Sequence, residues 1–342
     1  MLKDISISVA DGKGWDDYVF KHPKSLFYHL GGWGEALQEV FGFKKIYLQA
    51  GFGGEICGVL PLIFIDSVLG KRLVSIPIGV CAGALADNEP VRKALIDKAI
   101  ALTRELGCGY LELRNMEKTG LELPAKTLYA SFIKGLPADS CECLAQMPRK
   151  ARAAARHAID NGLVFDAGPK YIDDCYDIYA ISQRHLGSPV VSRKWFKKLF
   201  SVFNDKTNIF IVKFNGKILA AVLTFFYKDT VLPFYGGCDP GFFRLNPNDY
   251  MYLKLQEYGV ENGFRYFDFG RSRAGSGSYQ FKVNLGFKPA ELYYEYYLNK
   301  AGSMPEINPS NRAFKLAQNI WKRLPLPVTK WLGPALYKFV IP

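Results

Sequence analysis

Two stretches of this chain repeat one pattern of apolar and polar positions. Residues 46–67, IYLQAGFGGEICGVLPLIFIDS, and residues 209–230, IFIVKFNGKILAAVLTFFYKDT, each run apolar, break at a glycine-containing turn and run apolar again. Gly-Gly and Asn-Gly supply the positive-φ residues that tight two-residue turns need, so both stretches predict β-hairpins. Each is followed by a segment with apolar residues every three or four positions, EPVRKALIDKAIALTRELGCG (89–109) and NDYMYLKLQEYGVENGF (248–264). That spacing predicts a helix, closed in both cases by glycine. A short run after each helix, YLELRN (110–115) and YFDFGRS (266–272), predicts a strand. Hairpin, helix and strand thus recur in one order at similar spacing, which points to a duplicated α/β module.

The join between the copies falls in LPADSCECLAQM (136–147), and the next segment, PRKARAAARHAIDNGL (148–163), predicts a helix. Pro148 starts it, alanines fill it, and Asn-Gly stops it. The residues up to about 145 are therefore read as one domain, 146–300 as a second, and 301–342 as a basic amphipathic tail.

Composition narrows the partners. A chain of 342 residues is long for one domain, and 49% apolar with 15% aromatic residues supplies a substantial core. The net charge of +12 favours a polyanionic partner: nucleic acid, an anionic membrane surface or a phosphorylated substrate. The N-terminus is polar and acidic where an export signal needs an apolar run, and VLPLIFI (59–65) is of strand length, so a cytoplasmic protein is expected. Seven cysteines without an export signal argue against a disulfide framework. Cys141 and Cys143 form a lone C-x-C with no second pair and few histidines, so no metal site is expected.

The paired modules, together with RKARAAARHAIDNGL, YFDFGRS and YQFKVNLGF, resemble the FemAB-type branch of the GNAT acyltransferase superfamily. RHLGSPVVSRKWF, PFYGG and FDFGRS are similar to FemAB-related proteins of exosortase/PEP-CTERM and exopolysaccharide loci. The resemblance spans about residues 5–300. It implies an α/β (α+β) fold of two tandem GNAT-like domains, with mixed, largely antiparallel sheets flanked by helices. It further implies transfer of an acetyl or aminoacyl group onto an amine of a cell-envelope or exopolysaccharide precursor. The donor stays open between acetyl-CoA or another acyl-CoA and aminoacyl-tRNA. Neither copy shows a Q/R-x-x-G-x-G/A loop at its strand-to-helix junction, and the chain shows no long charged heptad arm.

Amide formation needs a deprotonated amine, donors for the oxyanion and a grip on the phosphate-bearing donor. In FDFGRS, alternation puts Phe267 and Phe269 on one face and Asp268 on the other, where a carboxylate can orient or deprotonate an amine. The alternative is an exposed strand carboxylate, or one paired with Arg271 or Arg273. Gly270 permits a sharp turn, and Arg271 with Ser272 is assigned to the donor's phosphate. RSRAGSGS lacks the P-loop pattern, so a P-loop NTPase is not expected, and a basic flexible turn is the alternative. Lys282, read as part of a second strand in YQFKVNLGF, falls where Fem-like sequences carry a lysine near the transfer site, and is assigned to the oxyanion. Its alternative is a solvent-facing strand lysine.

Tyr235, beside Gly236 in LPFYGGCDP, is the candidate for protonating the leaving group, against a plain core tyrosine. Asn248 or Asp249 is expected to cap the following helix, where Asp249 would lie near a bound anion. Arg149, Arg152 and Arg156 share one helical face: a solvated basic surface, or a clamp for tRNA, CoA or a lipid-linked pyrophosphate. His185 has no nucleophile partner, so no triad is expected. From Ala313 to Pro342 five Lys/Arg, no acidic residue and interleaved Trp321, Trp331, Tyr337 and Phe339 suggest a peripheral contact with anionic membrane at its inner face. A helix packed back on the protein fits that composition equally. The rival to an enzyme is a non-catalytic GNAT-fold module that binds a saccharide carrier or assembly partner.

Overall fold

The computed structural model describes residues 5–305 and 312–337. The chain opens with β1 (Ser6–Val9), α1 (Trp15–Lys21), α2 (Gly31–Phe41), β2 (Lys44–Phe52), β3 (Glu55–Ser67) and β4 (Gly70–Val74). Then come β5 (Leu85–Ala86), α3 (Glu89–Glu105), β6 (Tyr110–Asn115), β7 (Ala125–Lys126) and β8 (Tyr129–Gly135). The middle of the chain forms α4 (Cys141–Gln146), α5 (Arg149–Asp160), β9 (Val164–Ala167), α6 (Ile172–Leu186) and α7 (Arg193–Val202). It continues with β10 (Thr207–Phe214), β11 (Lys217–Tyr227), β12 (Thr230–Cys238), α8 (Pro247–Glu261) and β13 (Tyr266–Arg273). Last are α9 (Gly277–Asn284), β14 (Ala290–Glu291), β15 (Tyr293–Leu298), α10 (Arg312–Arg323) and α11 (Leu326–Tyr337).

The described residues divide into two compact units, 5–129 with 291–305, and 130–290 with 312–337. In the first, the sheet order is β1-β2-β3-β4-β6-β15-β7, with β5 added on β3. In the second it is β14-β8-β13-β12-β11-β10-β9. The crossings lie at 129/130 and 290/291 rather than near 145 and 300. The reason is strand exchange: β8 bonds into the second sheet beside β13, and β15 into the first between β6 and β7. Both sheets are mixed and largely antiparallel.

The duplicated module is present in both units. The β2–β3 turn uses Gly53 (φ 59°) and Gly54 (φ 88°), and the β10–β11 turn uses Asn215 (φ 49°) and Gly216 (φ 77°). Two successive positive-φ residues match the twist of the flanking strands. Each hairpin carries a bulge just before its turn, at Ala50/Gly51 and at Val212/Lys213. Both long helices end at a glycine with positive φ, Gly107 and Gly263. The parallel pairs also correspond: Arg72↔Tyr110 and Leu73↔Leu111 in one unit, Thr230↔Tyr266 and Val231↔Phe267 in the other.

The core of the second unit explains its helices. Ala151, Ala155 and Ala158 of α5 are buried and let it approach α8, whose Met251, Leu253 and Leu255 are fully buried with Phe267 and Phe269. Arg149, Arg152 and Arg156 take the opposite side of α5. The other face of the sheet is covered by aromatic residues of α6 and α7. Of the tail, residues 312–337 are described; they form α10 and α11, which belong to this unit and pack against α6, and Phe339 lies outside the described residues. No described helix is long and apolar enough to cross a membrane.

Candidate active site

β12 and β13 run parallel and are joined through Thr230↔Tyr266 and Val231↔Phe267, after which no further pair is in register although both strands continue. Two strands that part leave backbone donors and acceptors without a sheet partner, and such groups must be met by side chains or ligand. Asp268 is the first residue of β13 beyond the last pair. Phe267 and Phe269 point into the α5–α8 core, as alternation requires, and Asp268 faces the other way while remaining 6% exposed.

Gly270 sets the geometry of the site. Its φ of 65° is a left-handed conformation that glycine adopts without strain. The turn brings its N–H onto Asp268 Oδ1 at 2.8 Å. Its carbonyl accepts from Lys282 Nζ at 3.1 Å, and the Arg271 carbonyl accepts from the same ammonium at 3.0 Å. One glycine residue thus bridges the carboxylate and the ammonium. Ser272 is also buried, and its Oγ makes no hydrogen bond among the described residues. Arg271 stands at the partly exposed rim.

Lys282 lies on helix α9, not on the strand that its alternating neighbours predict. Ser276 caps α9 by accepting from the Tyr279 N–H, and the helix buries Lys282 and Leu285, three positions apart. The capping bond and that inward pair outweigh the local β-like pattern. The lysine stem passes between two rings, with Nζ 5.2 Å from the Phe132 centroid and 5.1 Å from that of Phe269. Phe132 is on β8, so it comes from the first repeat's stretch of sequence. No local signal marks it.

Burial and neighbouring charge oppose each other here. Burial pushes the Asp268 carboxyl up to about 6, offset in part by the Gly270 N–H and by the charge of Lys282. Burial likewise pushes Lys282 down to about 7, against the pull of Asp268 and with the push of Arg271. An acid and a base both held near neutrality can exchange a proton at little cost, which suits proton transfer.

The remaining candidates lie elsewhere in this unit. Tyr235 is buried among Tyr179, Phe196 and Phe234, and its hydroxyl accepts from Trp195 Nε1 at 2.8 Å. Gly236 and Gly237 serve close packing: a Cβ would meet the Tyr252 hydroxyl at 2.4 Å and Tyr179 Cα at 2.9 Å. The cap of α8 is Asn246 (φ 52°) followed by Pro247, not Asn248 or Asp249. A proline suits the first helical position and shifts the cap two residues upstream. Asp249 stands in the first turn, its carboxyl pushed up to about 6 by burial. Arg149 and Arg156 are exposed, and Arg152 donates to the Ala145 carbonyl at 3.0 Å. A Cβ on Gly286, just past α9, would meet Pro148 at 3.1 Å, so the arginine face starts beside the Lys282 helix.

His185 lines a cavity of about 350 Å³ with Arg184, Asp239 and Lys322, among others. Asp268 and Lys282 do not line it. Among the described residues no cluster of three His, Cys, Asp or Glu could hold a metal ion.

Residues 144–283 match the Acetyltransferase (GNAT) domain family. The second unit carries a GNAT acetyltransferase domain. Asp268, Gly270, Ser272 and Lys282 all lie within the matched span. The fold of the whole chain is similar to that of FemX, at TM-score 0.68 and 15% identity over 86% of this chain and 98% of that one. It is also similar to a tandem GNAT protein from the clavulanic acid biosynthesis pathway, at TM-score 0.56 and 11% identity over 88% of this chain and 100% of that one. L-PGS from Bacillus licheniformis aligns at TM-score 0.51 and 13% identity over 85% of this chain and 95% of that one. No curated protein matches the chain in sequence. The FemAB-type resemblance therefore holds at the level of fold, with GNAT-like units in tandem.

The two units differ where they correspond. The shared register makes Glu112 of β6 the counterpart, in its own unit, of Asp268 in the second. Glu112 is closed off by its own neighbour: Arg114 Nε donates to Glu112 Oε1 at 2.8 Å, and both side chains are buried. Sequence reading passed over this contrast, although YLELRN beside YFDFGRS carried it: arginine stands in the first repeat where glycine stands in the second.

Proposed function

We propose that this protein is an N-acyltransferase whose transfer site is the Asp268–Gly270–Lys282 group of the GNAT domain. The carrying observation is that a carboxylate and an ammonium, both buried and both drawn toward neutrality, meet on one glycine where β12 and β13 part. Asp268 takes the proton of the acceptor ammonium. The free amine attacks the acyl carbonyl, a C–N bond forms, and the oxyanion is met by Lys282 and by backbone N–H groups left open between the strands. Collapse expels the leaving group, which takes up a proton. That proton is the one the attacking nitrogen gives up as the amide forms.

Arg271 and the Arg149–Arg152–Arg156 face hold the phosphates of the donor. Because the matched description is an acetyltransferase, acetyl-CoA or another acyl-CoA is the first donor to be tried, and the FemAB-type resemblance makes aminoacyl-tRNA the second. The acceptor is read as an amine of a cell-envelope or exopolysaccharide precursor, met on the cytoplasmic side of the membrane.

The test supplies radiolabelled acetyl-CoA, or tRNA charged with labelled amino acid, with an extract of envelope and polysaccharide precursors. Alkali-stable amide label from one donor, lost in Asp268→Asn and Lys282→Met, is the expected result. Label that survives both substitutions, or none from either donor, overturns the assignment.

A further inference from the structure

The last two helices are held to α6 by their inner faces. Lys330 Nζ of α11 pairs with Asp177 at 2.7 Å, Thr329 is buried, and Gly333 lies so near Val190 that a Cβ would come within 2.9 Å. On α10, Trp321 is buried, and just beyond the helix the Leu324 carbonyl accepts from Arg184 at 3.4 Å.

The outer faces are of opposite character to an ordinary solvated surface. Leu316, Ile320 and Arg323 stand exposed at four- and three-residue steps on α10, and Pro327, Trp331 and Ala335 at four-residue steps on α11. Trp331 is 78% exposed, whereas the protein's other four tryptophans are each 8% exposed or less. Lys315 and Lys322 are exposed as well, and residues 312–337 contain no aspartate or glutamate.

We propose that this face is a docking surface for the headgroup region of an anionic bilayer. A tryptophan at the headgroup boundary, with aliphatic side chains beneath and cations around it, is the composition that an interfacial helix uses. The helices are of 12 residues each, so they lie on the surface and do not cross it. A second copy of the chain is a poorer occupant, because a two-fold contact would press two acid-free, cationic faces together. The proposal stands apart from the transfer chemistry and is tested without it.

The experiment uses the full chain with phosphatidylcholine vesicles, with and without a minority of phosphatidylglycerol. Trp331 alone among the tryptophans faces solvent, so its emission reports the contact. Anionic vesicles are expected to shift that emission to the blue, and lipid brominated near the headgroup to quench it. Trp331→Ala should weaken co-sedimentation roughly tenfold, and Arg323→Glu roughly fivefold, with binding falling as salt rises. Neither substitution should change Tm or transfer to a water-soluble amine. Absence of binding to anionic vesicles, or equal binding by Trp331→Ala, overturns the proposal. So does a concentration-dependent dimer in sedimentation that Trp331→Ala abolishes.

Discussion

Replacing Lys282 by methionine should stabilise the fold at neutral pH while it removes activity. Lys282 is 7% exposed, and burial has brought its ammonium from 10.5 down to about 7. A displacement of that size means that holding the charge in place costs about 5 kcal/mol. Its bonds to the Gly270 and Arg271 carbonyls return roughly 1 kcal/mol each, and methionine forgoes them. Methionine keeps the stem packed between Phe132 and Phe269, so no cavity forms. The net expectation is a gain of about 1–3 kcal/mol at pH 7. The sign with pH comes from linkage. Between about 7 and about 10.5 the unfolded chain holds a proton that the folded lysine has lost, so wild-type stability rises across that window. The substitution abolishes the rise, so its advantage shrinks as pH increases. Urea unfolding of both proteins over this range gives the difference, once the further rise of the Asp268 carboxyl in the absence of the Lys282 charge is measured alongside. An equal loss of stability at every pH would show that Lys282 is a structural ion partner, and would refute the reasoning.

Other expectations rest on the same geometry. The pH dependence of kcat/KM should be bell-shaped, with limbs near 6 and 7, because Asp268 must be ionised and Lys282 protonated; Asp268→Asn should remove the acidic limb. Gly270→Ala places a side chain at φ 65°, which should cost about 1–2 kcal/mol and lower kcat further by misdirecting both partners. Tyr235→Phe takes away the acceptor of the buried Trp195 N–H, so chemical denaturation should show a loss of about 1–3 kcal/mol.

What could be read from the sequence was local. Asn215-Gly216 and Gly53-Gly54 announce their hairpins because a two-residue turn of positive φ admits few other residues. The α5 helix was legible from Pro148, its alanines and its closing Asn-Gly. Alternation alone placed Asp268 opposite two core phenylalanines. The exchange of β8 and β15 between the sheets was not legible, because the partners of a strand are set by long-range pairing and not by its own pattern. The same holds for Phe132, which reaches Lys282 only through that exchange. Lys282 was read on a strand and lies on a helix: Tyr279, Phe281 and Val283 alternate as in a strand, and the Ser276 cap is the local feature that favours a helix. The tail offered two readings from one composition. Its packed inner side and exposed outer side show how both arise, since aromatic residues went to each.

The account turns on one asymmetry: Asp268 of the GNAT domain takes the N–H of Gly270, whereas its counterpart Glu112 in the other unit is paired with Arg114. Single-turnover amide formation should therefore be compared for Asp268→Asn and for the paired replacement Glu112→Leu with Arg114→Met. Asp268→Asn should slow transfer by about 100-fold or more, and the paired replacement should leave it unchanged. Undiminished transfer by Asp268→Asn, or loss confined to the Glu112–Arg114 replacement in a folded protein, would contradict the account.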